Sequence, residues 1–410
     1  MATPKLKLGN DKWATKQRSL LAYNDEGNNF KSLPFQVERL SGGSYKGRNG
    51  LVQYAATEEP RIDFTNYSKG ALLLEPQRTN SITYSEDFSN GSYNKNNATV
   101  TPNNTTAPDG TTNADKITST GTAPYARATF THSTLTSYTV SIFAKKGDEN
   151  YLYIRALALS SQPIASFNLS TGSLGTVNTG LTAEMQSYSN GWYRCIIKYT
   201  TTSSISNNLI DFGFASSDNS RFSSSGKFTY FWGAQIETGD YSTSYIPTAG
   251  STATRVQDEV FNGGNQYIFN DSEGTLFFDL QNFSGNTREL TFSNGTSSNR
   301  IAIIFYGASA VIRFYVANGG VAQADSVFNL SFTFDQRNKI AFRYKQNDFK
   351  AYINGTQVFS DPSGNTPVGL SRFDFANSNV TANFIEGEIY QTKIYNEALT
   401  DAELQTLTTL

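Results

Sequence analysis

The sequence predicts an all-β protein, with two β-sandwich domains in tandem after an irregular N-terminal arm. Three observations predict it. Gly (32), Tyr (23) and Phe (29) are abundant in a chain of 410 residues that is 38% apolar, a balance suited to pleated faces on which aromatic side chains pack. Beyond residue 70, short apolar runs recur between Gly, Ser, Thr and Asn turns, the spacing of sandwiches and barrels. A 3.6-residue period over a helix's length is absent from these runs, and the single helix expected lies at the C-terminal end.

The length leaves room for two or three domains with substantial cores. Lys and Arg total 33 against 35 Asp and Glu, a net charge of −2. Without a basic stripe, nucleic acid is not an expected partner. No apolar run approaches the roughly 20 residues of a membrane-spanning helix.

Residues 1–69 read as the arm. They hold Pro4, a cationic segment with Lys12, Lys16 and Arg18, and few periodic signals. Phe35 and Val37 face one way in a short candidate strand, Gly42, Gly43 and Gly47 interrupt the chain, and Arg61-Ile62-Asp63-Phe64 alternates briefly. Such a segment has little with which to bury a core alone, so it is expected to order on a neighbouring subunit or a larger particle, with a flexible leader as the alternative.

Residues 70–260 form the first sandwich. Leu72, Leu73 and Leu74 make a continuous apolar run suited to a strand covered on both faces, and Glu75-Pro76 stops it, since proline has no N–H to donate. Strand signals follow at 114–117, 126–130, 138–144, 151–159, 192–199, 209–214 and 228–236. Ala107-Pro108-Asp109-Gly110 is a turn, its proline presetting φ and its glycine accepting positive φ. Residues 261–410 form the second sandwich. Leu276, Phe278 and Leu280 share a face, further strands lie at 301–306, 311–316, 339–344 and 349–353, and Asn354-Gly355 supplies the positive φ angles of a two-residue hairpin. Thr400 and Glu403 have the spacing of a capping box for the terminal helix.

Three blocks carry a resemblance: LLLEPQRTN (72–80) running into TYSEDFSNGSY (83–93), GWYR (191–194), and FWGAQIETGDYSTSYIPT (231–248). Together they resemble a module recurring in tailed-bacteriophage tail and fibre proteins, a β-sandwich similar to carbohydrate-binding modules. KIAFRYKQNDFKAYINGTQVF (339–359) and FIEGEIYQTKIYNEALTDAEL (384–404) resemble the laminin-G-like or concanavalin-like jelly roll over roughly residues 274–404. The resemblance implies two jelly-roll-like sandwiches and a virion fibre or appendage, on head or tail, that is usually a homotrimer. It further implies that the arm attaches to other virion proteins and that the sandwiches adhere to bacterial surface polysaccharide. The start of the chain, MATPKLKLGNDKWATK, carries no apolar signal-peptide core; this fits a particle assembled in the cytoplasm, and equally a cytoplasmic protein. Purely structural decoration without a ligand, and a polysaccharide depolymerase, stay open as alternatives.

Enzymatic machinery is thin. His132 is the sole histidine, so a Ser-His-Asp or Cys-His arrangement would need it, and it reads as an exposed strand-end residue. One His with one Cys builds no usual zinc site. A glycosidase needs only two neighbouring carboxylates, whose proximity the sequence does not show; the chain is expected not to be an enzyme. Cys195, the only cysteine, alternates with Tyr193, Ile197 and Tyr199 and reads as a buried, inert thiol. Trp192 and Trp232 read as core. Structural calcium is compatible with the resemblance, and Glu86, Asp87 and Glu237 offer oxygen donors, yet no DxDxDG loop assigns ligands.

For glycan binding the candidates are Tyr151, Tyr153 and Arg155. Alternation sets them on one strand face opposite Leu152, Ile154 and Ala156, where open rings would stack on a sugar and the guanidinium would bond its hydroxyls. The competing reading is a strand covered on both sides, or a face buried against a neighbouring subunit, which Leu157 continuing the row favours.

Overall fold

The computed structural model describes residues 2–22, 33–205, 207–282, 286–307, 311–330 and 333–410. Among them, the regular structure is strand except for a 3-10 turn at Ser189–Gly191 and one α-helix, Asp401–Thr408. That helix starts as expected. Thr400 Oγ1 accepts from the Glu403 N–H at 3.4 Å, and the Glu403 carboxylate accepts from the Thr400 N–H at 3.0 Å, a reciprocal capping box. No helix among these residues is long and apolar enough to cross a membrane. The chain folds as two compact units, one of residues 43–54 and 77–255, the other of residues 1–42, 55–76 and 256–410.

The unit built on 77–255 is a sandwich of two six-stranded antiparallel sheets. One sheet runs in the order Asn94–Asn96, Tyr125–Thr129, Leu209–Ala215, Tyr151–Ala156, Ile164–Asn168, Ser173–Val177. The other runs Ala98–Thr105, Ala114–Ser119, Phe228–Thr238, Ser137–Lys145, Trp192–Thr200, Thr182–Ser187. Alternate residues of both meet in one core: Leu152, Ile154, Phe212 and Phe214 from the first, Val140, Ile142, Cys195, Ile197 and Ile236 from the second, all fully buried. The period-2 alternation of each strand dictates this, since every second side chain is apolar and points inward.

The other unit pairs an eight-stranded sheet with a five-stranded one. The larger runs Thr356–Asp361, Phe349–Ile353, Asn338–Lys345, Glu273–Asn282, Gly387–Tyr395, Ala71–Leu74, Ile62–Asp63, with Leu6–Gly9 also on Gly387–Tyr395. The smaller runs Val321–Asn329, Val311–Asn318, Arg300–Tyr306, Thr287–Ser293, Arg372–Asp374. Asn354 (φ 48°) and Gly355 (φ 81°) turn the expected hairpin. Leu404 and Leu407 of the helix pack with Phe277, Ala341 and Tyr352 in a small separate cluster.

The all-β, two-sandwich expectation holds; the arm does not. Within residues 2–69, Leu6 and Leu8, Leu20, and Phe35 and Val37 are buried in the same core as Leu276, Phe278 and Phe373. Leu6–Gly9 pairs in register with Gly387–Tyr395, Leu6 opposite Ile394. Leu33–Glu38 pairs with Glu259–Phe261. The short strands looked too poor to make a core because each contributes only two or three apolar residues to a core completed by residues far along the chain. The expected boundaries near 69 and 260 move accordingly. Leu72–Leu74, buried on both faces as predicted, belongs to the eight-stranded sheet beside Gly387–Tyr395, and the first sandwich begins only after Pro76.

Candidate functional site

Along Tyr151–Ala156, Leu152, Ile154 and Ala156 lie in the core, which turns Tyr151, Tyr153 and Arg155 to the outer face of their sheet. Register places neighbours beside them. Tyr153 lies opposite Gly213, itself opposite Tyr125, and Arg155 lies opposite Asp211, itself opposite Arg127. The outer face therefore carries two adjoining rows, Tyr125–Gly213–Tyr153 and Arg127–Asp211–Arg155.

Tyr153 is not the open ring expected of a platform. It is fully buried. Its ring lies across Gly213, where an added Cβ would stand 2.2 Å from Tyr153 Cζ, and its hydroxyl donates to the Pro124 carbonyl at 3.0 Å. Burial, and then the charge of Asp211, push that hydroxyl's pKa upward. Glycine at 213 is what lets the ring lie flat, and Tyr153 becomes floor. Tyr151 and Arg155 are half-buried at the edges. Asn168 Nδ2 donates to the Tyr151 hydroxyl at 3.2 Å, and Arg155 Nη2 donates to Gln162 Oε1.

Asp211 centres the charged row. It is fully buried, and Arg127 grips it with a fork, Nε to Oδ1 at 2.6 Å and Nη2 to Oδ2 at 3.0 Å, the strong bidentate geometry of a guanidinium on a carboxylate. Arg155 Nη1 stands 3.7 Å from the same carboxylate. The Arg127 guanidinium also lies over the half-buried Tyr125 ring, 4.6 Å from its centroid. The hydrogen bond to Asp211 raises the Arg127 pKa. That of Arg155 is lowered, by burial and then by the neighbouring charge of Arg221. Arg127, Asp211, Tyr125 and Arg221 were not singled out in sequence; the Tyr-x-Arg spacing of 125–127, repeated at 153–155, is the signal that was there.

From residue 77 onward, the three blocks that carried the resemblance supply scaffold around the other sheet, whereas Leu72–Leu74 of the first block belong to the unit of residues 1–42, 55–76 and 256–410. Trp192 and Trp232 are fully buried and pack with Phe143 and Tyr245; their indole N–H groups donate to the Thr106 carbonyl at 3.0 Å and Asn113 Oδ1 at 2.9 Å. Arg194 Nη1 donates to the Thr243 carbonyl at 2.8 Å. Asn80 Nδ2 donates to the carbonyls of Ala234 and Ile246, and its Oδ1 accepts from the Ile236 N–H. Ser85 Oγ lies 2.6 Å from the Tyr245 hydroxyl, which donates to Glu86 at 2.9 Å. These block residues hold one another.

The remaining chemical candidates resolve into packing. His132, expected at an exposed strand end, is buried: its Nε2 lies 2.6 Å from the Tyr199 hydroxyl and its ring 4.0 Å from that of Phe130. Burial lowers its pKa. The reason is tertiary packing, since Phe130 and Tyr138 close around it together with Tyr199, 67 residues further on. Cys195 is buried as expected, and burial raises its pKa. Glu86 accepts from Tyr245 and Asn113, Glu237 from Thr243 and Gln235, and Asp87 from Ser89 and Asn90. Among the described residues no group of three or more His, Cys, Asp or Glu side chains could hold a metal ion. In the three-segment unit, Glu388 has its carboxyl pushed up to about 8 by burial and then by Asp63, but it is buried, accepting from the Tyr390 hydroxyl at 2.5 Å and Asn66 Nδ2 at 3.1 Å.

Residues 275–405 match a family model described as the concanavalin A-like lectin/glucanases superfamily, where the jelly-roll resemblance was expected. No curated protein matches the chain in sequence. Among solved structures it is similar to the Ruminococcus gnavus IT-sialidase CBM40 bound to α2,3 sialyllactose, at 16% identity and a TM-score of 0.31 over 36% of this chain and 93% of that one. It is also similar to domains LG4-5 of the mouse laminin α1 chain, at 10% identity and a TM-score of 0.24 over 67% and 88%. A putative carbohydrate binding protein from Bacteroides ovatus gives 11% identity and a TM-score of 0.25 over 70% and 78%. Scores of this size do not bear on ligand or activity.

Proposed function

We propose that the chain is a glycan-binding adhesin, and that its sugar site is the outer face of the sheet containing Tyr151–Ala156. The observation that carries this is the set of side chains that the outer face presents: half-buried Tyr125 and Tyr151 beside the guanidiniums of Arg127 and Arg155, braced by the fully buried Tyr153 packed on Gly213. Aromatic rings offer a pyranose face something to stack on, and planar multi-donor groups suit ring hydroxyls. The family match of the second sandwich to lectins and glucanases supports the same class of ligand. Binding rather than cleavage is favoured, because the sole histidine, His132, and Glu388, whose carboxyl is pushed up to about 8, are both buried in packing.

The setting proposed is the fibre or appendage of a tailed-phage particle, supported by the blocks at 72–93, 191–194 and 231–248. Weak single sites on a homotrimer would gain through avidity. Docking through a free N-terminal arm is not part of the proposal, since that segment is built into a sandwich core.

A glycan array probed with the full chain tests the sugar site. Tyr125→Ala should weaken binding several-fold, corresponding to about 1 kcal/mol for one stacked ring, while leaving the melting temperature unchanged. An array without a single hit, or a Tyr125→Ala variant that binds normally, overturns the site. Antibody labelling of intact phage particles tests the setting, and unlabelled particles reject it.

A further inference from the structure

We propose that Asn90 is a site of covalent self-modification: the Gly91 amide displaces ammonia from its side chain through a succinimide ring, which opens to aspartate or isoaspartate. The chain holds seven Asn-Gly dipeptides, beginning at residues 49, 90, 190, 262, 294, 318 and 354. A glycine after asparagine leaves the attacking nitrogen unshielded by any side chain. What separates the seven is where the glycine N–H is spent. Gly50 donates to the Gly47 carbonyl and Gly263 to the Phe373 carbonyl, each at 2.9 Å. Gly295 donates to Ser293 Oγ at 3.1 Å, Gly319 to Asn299 Oδ1 at 3.0 Å and Gly355 to Thr408 Oγ1 at 3.1 Å. Gly191 closes the 3-10 turn at Ser189–Gly191. The Gly91 N–H donates to no group among the described residues. Gly91 is exposed, and a Cβ placed on it would meet nothing within 4 Å, so hydroxide reaches this N–H and the backbone has room to turn.

The neighbours of this peptide suit the reaction on both sides. Asn90 Oδ1 accepts from the Ser92 N–H at 3.0 Å, an Asx turn that folds the side chain back along Gly91. The same N–H stabilises the charge that Oδ1 gains when Cγ becomes tetrahedral. Lys95 Nζ donates to the Asn90 carbonyl at 2.7 Å and to the Ser89 carbonyl at 2.9 Å. When hydroxide removes the Gly91 proton, peptide resonance shares the negative charge with the Asn90 carbonyl oxygen, where the ammonium of Lys95 stabilises it. The nitrogen then attacks Cγ, the Cγ–Nδ2 bond breaks, and Nδ2 leaves as ammonia with a proton from water. One water opens the ring, at Cγ to give aspartate or at the backbone carbonyl to give isoaspartate. Asp87, the nearby carboxylate, is engaged by the N–H groups of Ser89 and Asn90 at 3.0 and 3.1 Å. The loop runs directly into Asn94–Asn96, the edge strand beside Tyr125–Thr129. The product therefore sets a new carboxylate, and in isoaspartate an extra backbone carbon, at the rim of the sheet that carries Tyr125.

The experiment ages the full chain, folded, in mildly alkaline buffer and follows each Asn-Gly peptide by mass spectrometry for the amide-to-acid mass gain. A parallel sample is aged in urea. In the folded chain Asn90 should react roughly tenfold faster than any of the other six sites, a barrier difference of one charge-assisted bond. In urea all the sites should react within a few-fold of one another, because the neighbours that distinguish them are gone. Lys95→Gln should slow Asn90 roughly tenfold in the folded chain, as for exchanging a charge-assisted for a neutral hydrogen bond, and leave its rate in urea unchanged. Gly91→Ala, for which there is room, should slow Asn90 in both samples without moving the melting temperature. The ranking of the sites is read on the unsubstituted chain, so it decides the matter even where a variant fails to fold. Another site, such as exposed Asn190, reacting as fast as Asn90 in the folded chain overturns the assignment. A folded Lys95→Gln chain in which Asn90 reacts at the original rate or faster also overturns it, as does the same ranking of sites with and without urea.

Discussion

The two units are both sandwiches of antiparallel sheets, yet they are assembled differently from the same chain. One is nearly continuous: residues 77–255 supply all the strands of its two six-stranded sheets, and 43–54 adds a hairpin. The other needs three segments, 1–42, 55–76 and 256–410. It is held where those segments meet by buried charge. Asp258 Oδ1 accepts from Arg39 Nη1 at 2.8 Å, its Oδ2 accepts from Arg61 Nη2 and from the Glu75 N–H, and Arg61 Nη1 reaches Glu75 at 2.7 Å. Arg39 also donates to the carbonyls of Ala56 and Glu59. All four side chains are buried. Each lies within a few residues of a point where the chain leaves or re-enters this unit. What the difference teaches is that a discontinuous domain concentrates its polar fasteners at its joins, where short apolar strands alone would not specify which segments come together.

The comparison can be broken most severely with fragments. Residues 77–255 expressed alone should show a cooperative thermal transition, while 256–410 alone, lacking Leu6–Gly9, Ile62–Asp63 and Ala71–Leu74, should show none. A sharp calorimetric transition for 256–410 by itself would mean that the early segments decorate a self-sufficient core. Next in size is Asp258→Ala, which strands two buried guanidiniums. Breaking a buried pair costs roughly 3–5 kcal/mol, so the three-segment unit should melt about 10 °C lower while the other transition stays in place. Loss spread evenly over both transitions contradicts a fastener confined to one unit.

A smaller effect sharpens the contrast through pH. Burial pushes Asp115 of the continuous unit up to about 6, and Glu388 of the other up to about 8. A carboxyl whose pKa is raised by folding favours the protonated native state. Its contribution is complete below the unfolded pKa of roughly 4 and is lost as pH rises through the folded value. From pH 6.5 to 8.5 the Asp115 contribution has already gone, and that of Glu388 is still falling. His132, whose pKa is lowered, acts below its ordinary value of 6.5. The three-segment unit should therefore melt a few degrees lower at pH 8.5 than at 6.5, and Glu388→Gln should remove that slope. An unchanged slope in Glu388→Gln places the titration elsewhere.

The sequence by itself determined what is local. Strand alternation put Leu152, Ile154 and Ala156 inward and Tyr151, Tyr153 and Arg155 outward, because a pleated strand has a period of two whatever surrounds it. The turn at 354–355 and the box at Thr400 and Glu403 were legible for the same reason: their bonds close within a few residues. Tertiary structure decided everything that depends on a neighbour distant in sequence. Whether Tyr153 is open or floor depends on Gly213 and Pro124, on other strands. Arg127 and Asp211 face each other only through a register no local pattern encodes. Residues 6–38 looked coreless because their partners lie some 220 to 390 residues further on, at Glu259–Phe261 and Gly387–Tyr395. Hydrophobic burial is additive over whatever residues converge, and convergence is a property of the fold rather than of the segment.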